Sequence, residues 1–281
     1  MKPSTSRVTR SRMSTKTKGH PSGFTLVELA VVIAIVALVL GALLVPLASQ
    51  LQNRNIRETR DSLRIIHEAL LGFAVTQGRL PCPDTDRDGL ENPCGGVGNV
   101  WDVVEGFVPW QTLSVPATDA WGSIFRYAVT REFAEAAVPG APPGPNQLDL
   151  TDIDSGNIQV NTRGDDFLTG PIETKTTIVL ANEVPAVVLS VGNNGAGGSL
   201  LGGVDRPFAT GVDELTNVST IASVWVLAAP PRPFVQRVHS TAASGCSDTA
   251  EGQPFCEFDD LLIWISAPVL LNRMVEARQL P

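Results

Sequence analysis

The sequence predicts an α+β protein, one long N-terminal helix followed by a β-rich region of about two hundred residues. Three observations carry the prediction. From Leu29 to Ala48, twenty consecutive residues carry no charged or strongly polar side chain. Helix-favouring residues then continue to Gly78, where Pro81 and Pro83 prevent continuation. Beyond Gly78 the composition shifts to Gly, Pro, Asp and Thr with short β-type runs, so helix and strands are segregated along the chain.

Residues 1–23 hold Lys2, Arg7, Arg10, Arg12, Lys16 and Lys18 and no acid. Their removal would take the net charge from −8 to −14. Such an acidic product is not a nucleic-acid binder through bulk electrostatics, and its charge fits a solvated, exposed domain. At 1.5 Å per residue, Leu29–Ala48 spans about 30 Å, the thickness of a bilayer hydrocarbon core. The basic stretch before it should stay cytoplasmic, which places the C-terminal region across the membrane. A secretory signal would want a shorter apolar region ending in an A-x-A-like site, and Val45-Pro46-Leu47-Ala48-Ser49-Gln50 fits that poorly.

Arg57, Leu63, Ile66, Leu70, Phe73 and Ala74 extend the helix to about fifty residues, with Gly41 and Pro46 as its bend points. Strands are expected at Ile124–Val129, Thr177–Leu180, Ala186–Val191, Ser223–Leu227 and Phe234–Val238. Val138–Pro145 reads as a Pro-rich loop and Gly192–Gly203 as a mobile Gly-rich loop lacking phosphate-binding spacing. A final helix is expected over Ala267–Ala277.

Directly before the apolar run stands Gly23-Phe24-Thr25-Leu26-Val27-Glu28. Glycine, hydrophobic residue, Thr, Leu, aliphatic residue and glutamate resemble the leader signal of type IV prepilins and type II secretion pseudopilins at every position. His67–Ala74 followed by Gly78–Pro83, Pro109–Leu113, Asp119-Ala120-Trp121-Gly122 and Ser190–Gly195 also look like segments of pseudopilins. The domain is larger than a typical major pseudopilin's and carries extra cysteines, which points to a minor or unusual subtype.

The resemblance implies a pilin-like fold, the helix packed on an antiparallel β-sheet domain with its first half transmembrane. It implies a leader at 1–23, a transmembrane and assembly helix at 24–49, a periplasmic continuation at 50–77 and a periplasmic globular domain at 78–281. A membrane-embedded prepilin peptidase would cut between Gly23 and Phe24, and Phe24 would be N-methylated. Glu28 would pair with the free amine of Phe24 on a neighbouring subunit. A carboxylate at the edge of a lipid-embedded helix is costly unless paired, so that charge itself favours assembly. The implied partners are other pilin or pseudopilin subunits, the peptidase, an inner-membrane assembly platform and membrane lipid. The implied place is the bacterial inner membrane, single-pass with the N-terminus cytoplasmic. The implied role is structural, in a secretion pseudopilus or related filament, or else as a minor pilin acting as an adhesin or ligand-binding tip.

Cys82, Cys94, Cys246 and Cys256 make an even count in an exported region, which favours disulfides over metal or redox use. Of three connectivities the local pairs Cys82–Cys94 and Cys246–Cys256 are preferred; neither pair has the C-x-x-C spacing of zinc sites. Asp84-Thr85-Asp86-Arg87-Asp88-Gly89 sets three carboxylates on one tight loop, with Asn92 at the ninth position. Hard oxygen ligands at that spacing suit Ca²⁺. The twelfth position holds Gly95 rather than Glu, so Glu91 or Glu105 would have to complete the shell. Calcium also fits the resemblance, since major pseudopilins bind it structurally through a different loop. Asp213, Glu214 and Asn217 form a second, weaker acidic group. Neither G-x-S-x-G nor H-E-x-x-H occurs, and the three histidines lack triad-like spacing, so no enzyme is expected.

Overall fold

The computed structural model describes residues 23, 25–94, 103–134, 156–164, 175–218 and 231–278, with the backbone alone over 41–48. The chain divides into two compact units, residues 1–51 and 52–281, with the boundary inside the first helix.

Helix α1 runs Leu26–Gln77. In its second part Leu63, Ile66, Leu70 and Ala74 recur at helical spacing and are buried, while Asp61, Arg64 and Glu68 face solvent. Each large apolar side chain so buried contributes roughly 1.5–3 kcal/mol. The helix stops at Gly78, whose φ of +73° suits glycine and whose N–H closes onto the Ala74 carbonyl at 2.9 Å. Among the described residues no helix is long and apolar enough to cross a membrane; described side chains stop at Leu40 and resume at Ser49, inside the Leu29–Ala48 stretch.

The second unit is built on a four-stranded antiparallel sheet in the order β1 (Val103–Phe107), β2 (Arg126–Thr130), β5 (Ala186–Ser190), β7 (Leu261–Ile265). One face, with Tyr127, Val129, Ala186, Val188 and Ile265, packs on α1 and on Leu270 and Met274 of α4 (Ala267–Glu276). The opposite face, with Ala128, Val187, Leu189 and Leu262, packs on a second sheet in the order β4 (Thr177–Val184), β3 (Ile158–Arg163), β6 (Arg232–Val235). Burial on both faces explains why Tyr127–Val129 of β2 and Ala186–Leu189 of β5 read as apolar runs rather than as alternation.

The α+β class, the helix and the antiparallel main sheet are as expected, but the second sheet is mixed, since β6 runs parallel to β3. The strand expected from Ile124 begins at Arg126, because Ile124 instead bridges Thr118 and bonds the Ser199 carbonyl. The expected strand to Val238 ends at Val235, where Arg237 turns towards Asp213 and Asp248. The strand at Ser223–Leu227 and the loop at Val138–Pro145 lie outside the described residues. The segment expected as a mobile Gly-rich loop is a packed series of turns. Gly192, Gly195, Gly197 and Gly198 are buried, and Gly197 and Gly198 bond Pro207 and Arg206. The helix α3 (Val212–Val218) was not foreseen.

Candidate functional site

The N-terminal signal has a simple local geometry. Thr25 sits just before α1 and its Oγ1 accepts the Glu28 N–H at 3.2 Å, an N-cap bond, while its carbonyl accepts the Leu29 N–H at 3.1 Å. Glu28 lies in the first turn, where the partial positive charge of the helix end favours a carboxylate. Gly23 is exposed, with open space where a side chain would stand. Phe24 lies outside the described residues. Leu26, Val27, Leu29 and the valines and isoleucines up to Leu40 are all exposed. A capped, apolar helix with an acid in its first turn follows directly on an accessible glycine.

This is a prepilin-type methylation signal. Residues 20–44 match the prokaryotic N-terminal methylation motif, the cleavage and methylation signal of the type IV pilin and pseudopilin family. The chain matches no curated protein and no solved structure. The methylation signal implies prepilin peptidase and other pilin subunits as partners, and points to a structural subunit.

Two further motifs of the signal-bearing chain meet in the domain core. Asp119 Oδ1 accepts the N–H groups of Trp121 and Ser123, both at 2.9 Å, and Oδ2 accepts the Ser190 hydroxyl at 2.7 Å. Asp119 therefore ties the D-A-W-G turn to the end of β5.

In the 84–92 loop, one oxygen each of Asp84, Asp86 and Asp88 lies within 4.8 Å of the others, so the three can hold a cation. Asp84 is buried, and its oxygens accept the N–H groups of Asp86, Arg87 and Gly89. Burial nevertheless raises its pKa. Asn92, expected as a ligand, instead directs Oδ1 at the N–H and hydroxyl of Thr85. Glu91 and Glu105 do not complete the shell either: Glu91 is engaged by Arg79 and Glu105 by Arg232. Both local disulfides, Cys82–Cys94 and Cys246–Cys256, are present, with Cα–Cα distances of 5.4 and 4.8 Å.

The second acidic group is rearranged relative to expectation. Asp213 turns to Arg163 and Arg237, at 2.6 and 2.8 Å. Glu214, next on α3, turns instead to Asp259 and Asp260 at the start of β7, and all three carboxylates lie within 4.8 Å and are buried. Asn194 Nδ2 donates to both Glu214 oxygens at 3.1 Å, and the Asp259 N–H donates to Oε1 at 3.0 Å. Asn217 Nδ2 donates to Asp260 at 2.8 Å and to the Val235 carbonyl at 2.9 Å. Burial above all raises the pKa of all three acids, that of Glu214 to about 7; repulsion adds to it, from Asp259 on Glu214, from Glu214 and Asp259 on Asp260, and from Glu257 on Asp259. Asp259 and Asp260 were missed because an acid pair before an apolar strand carries no ligand spacing; only the fold brings Glu214 to them.

Proposed function

We propose that the chain is a structural subunit of a type II secretion pseudopilus or a closely related type IV pilus-like filament. The leader 1–23 is removed, residues 24–49 sit in the inner membrane and drive assembly, and residues 78–281 form a periplasmic domain. Support comes above all from Glu28, an exposed acid in the first turn of a helix whose apolar side chains are bare from Leu26 to Leu40. In lipid those side chains are solvated, whereas the carboxylate is not unless a cation meets it. The new amine of Phe24 on a neighbouring subunit supplies that cation. Repetition of one head-to-tail contact then gives an open helical fibre rather than a closed ring.

Intact-mass measurement on protein from cells with and without prepilin peptidase tests processing: a chain beginning at N-methylated Phe24 is expected only with the peptidase. In-cell crosslinking tests assembly. Wild type should crosslink to other pilin-type chains, and Glu28→Ala should be processed yet lose those crosslinks. Unchanged crosslinks in Glu28→Ala would refute the filament role. Presence in sheared surface fibres would favour the adhesive tip reading over a periplasmic pseudopilus.

A further inference from the structure

We infer that the two sheets enclose a built site for one water molecule, in which Nη2 of Arg126 donates and Glu105 and Asn217 accept.

Three observations carry the assignment. First, the strand register puts a cation in the layer between the sheets. Arg126 and Ala128 share a face of β2, with Leu189 of β5 opposite Arg126 and Glu105 of β1 opposite Ala128. That face packs on the second sheet, so the guanidinium is shut off from bulk solvent, and Arg126 is only 5% exposed. Burial pushes its pKa down to about 10, which still leaves it charged at neutral pH with every N–H in place.

Second, its hydrogen bonds are incomplete. Nη1 donates to the Gly197 carbonyl at 2.9 Å, whereas Nη2 is fully buried and reaches no acceptor among the described residues. The neighbouring cation is better served: Arg232 donates Nε to Glu105 Oε1 at 2.5 Å and Nη2 to Oε2 at 3.3 Å. Buried donors in native proteins are almost always paired, with protein or with ordered water, and a charged donor is the costliest to leave alone.

Third, there is room beside it. Arg126 lines a cavity of about 10 Å³ together with Glu105, Asn217 and the apolar Leu189 and Phe234. A space of that size admits one water and nothing larger. The lining also offers the acceptors such a water needs. Each Glu105 oxygen can take more than one bond, and Asn217 Oδ1, which accepts the Val235 N–H at 2.7 Å, keeps a second lone pair. A halide, the other ligand a guanidinium could hold, is larger and is repelled by the Glu105 carboxylate. The consequence is structural. Glu105 lies on β1, Arg126 on β2 and Asn217 on α3, so one water would join the four-stranded sheet to the segment inserted between β5 and β7.

The test uses the full chain, purified in detergent micelles and labelled with nitrogen-15 and deuterium, in water-selective NOE and ROE spectra. A long-lived internal water gives cross-peaks of opposite sign in the two, which surface water does not. Wild type should show them at the amides of Gly106 and Ala128, which also line the cavity. Arg126→Met should lose them. Oxygen-17 relaxation dispersion of water, which is blind to exchanging protons, should fall by one long-lived molecule per chain between the two proteins. The inference is overturned if wild type shows no cross-peaks at those amides, or if Arg126→Met keeps them with the dispersion unchanged. A shift of the same amides when bromide replaces chloride would mean an anion and would overturn it as well. Should Arg126→Met fail to fold, Ala128→Val takes its place, since it fills the cavity and keeps Arg126. Loss of the cross-peaks and of one long-lived water in that variant upholds the site, and their persistence refutes it.

Discussion

Arg79 and Glu91 meet as a two-bond fork, Nη1 to Oε2 at 2.8 Å and Nη2 to Oε1 at 2.9 Å, and Glu91 also accepts the Cys82 N–H at 3.2 Å. The pair joins the exit of α1 to the disulfide-closed loop. Parallel charge-assisted bonds of this kind are stronger than neutral ones. Arg79→Met should cost about 1–3 kcal/mol in urea unfolding near neutral pH, since it leaves a half-buried carboxylate without its cation.

The same pair sets an acid dependence. Burial alone would raise the Glu91 pKa, but the hydrogen bonds and charge of Arg79 outweigh it and hold the group below its ordinary 4.5. The unfolded chain therefore binds this proton first, so the contribution is present above about pH 4.5 and is lost as pH falls through the lower folded value. Urea midpoints taken from neutral to acid pH should fall in wild type, and fall less steeply in Arg79→Met. Equal slopes would remove Glu91 from the account.

Tyr127 is the one tyrosine of the chain, buried, with its hydroxyl donating to the Pro81 carbonyl at 3.1 Å. Burial holds its pKa well above 10.0. Its neutral form is what the fold accommodates, so this contribution is full below the unfolded value and is lost as pH rises towards the folded one. Tyrosinate absorbance should appear only together with unfolding in an alkaline titration. Tyr127→Phe should cost about 1 kcal/mol. Ionisation in the folded protein at ordinary pH would contradict the burial.

Two glycines should respond in opposite directions. A Cβ at Gly106 would lie 2.5 Å from the Asp84 carbonyl oxygen, and bonds between Asp84 and Phe107 hold both backbones in place. Gly106→Ala should therefore destabilise by about 1–3 kcal/mol. At Gly72, exposed within α1, nothing lies within 4 Å, and Gly72→Ala should stabilise by roughly 0.5–1 kcal/mol through helix propensity. Thermal melts of the two variants beside wild type check both signs.

The disulfides close loops between residues 12 and 10 positions apart. Each should contribute about 2–3 kcal/mol by restricting the unfolded chain. Cys82→Ser/Cys94→Ser should lower the melting temperature, and reductant should then lower it again through Cys246–Cys256. No further drop would mean that the second bridge adds nothing.

The sequence alone determined what depends on near neighbours. The Gly23–Glu28 signal, the extent of α1, its stop at Gly78 and the two cysteine pairs are all set within a few turns of chain. Thr25 and Glu28 stand at cap spacing, Leu63, Ile66, Leu70 and Ala74 at one helical face, and each disulfide spans a short loop. The C-terminal helix was legible for the same reason, from Leu270, Leu271 and Met274 at helical spacing. What only the tertiary structure decided depends on residues far apart. The parallel pairing of β6 with β3 follows from an interface between two sheets, which no local period encodes. Asp84, Asp86 and Asp88 read as a ligand group by spacing and the turn gathers them, but only the structure shows Asp84 also accepting three backbone N–H groups and Asn92 turned to Thr85. Glu214 reads as a partner of Asp213, yet successive helical positions point about 100° apart. One acid therefore reaches two arginines, and the other meets Asp259 and Asp260, 45 residues on, because β7 returns beside β5.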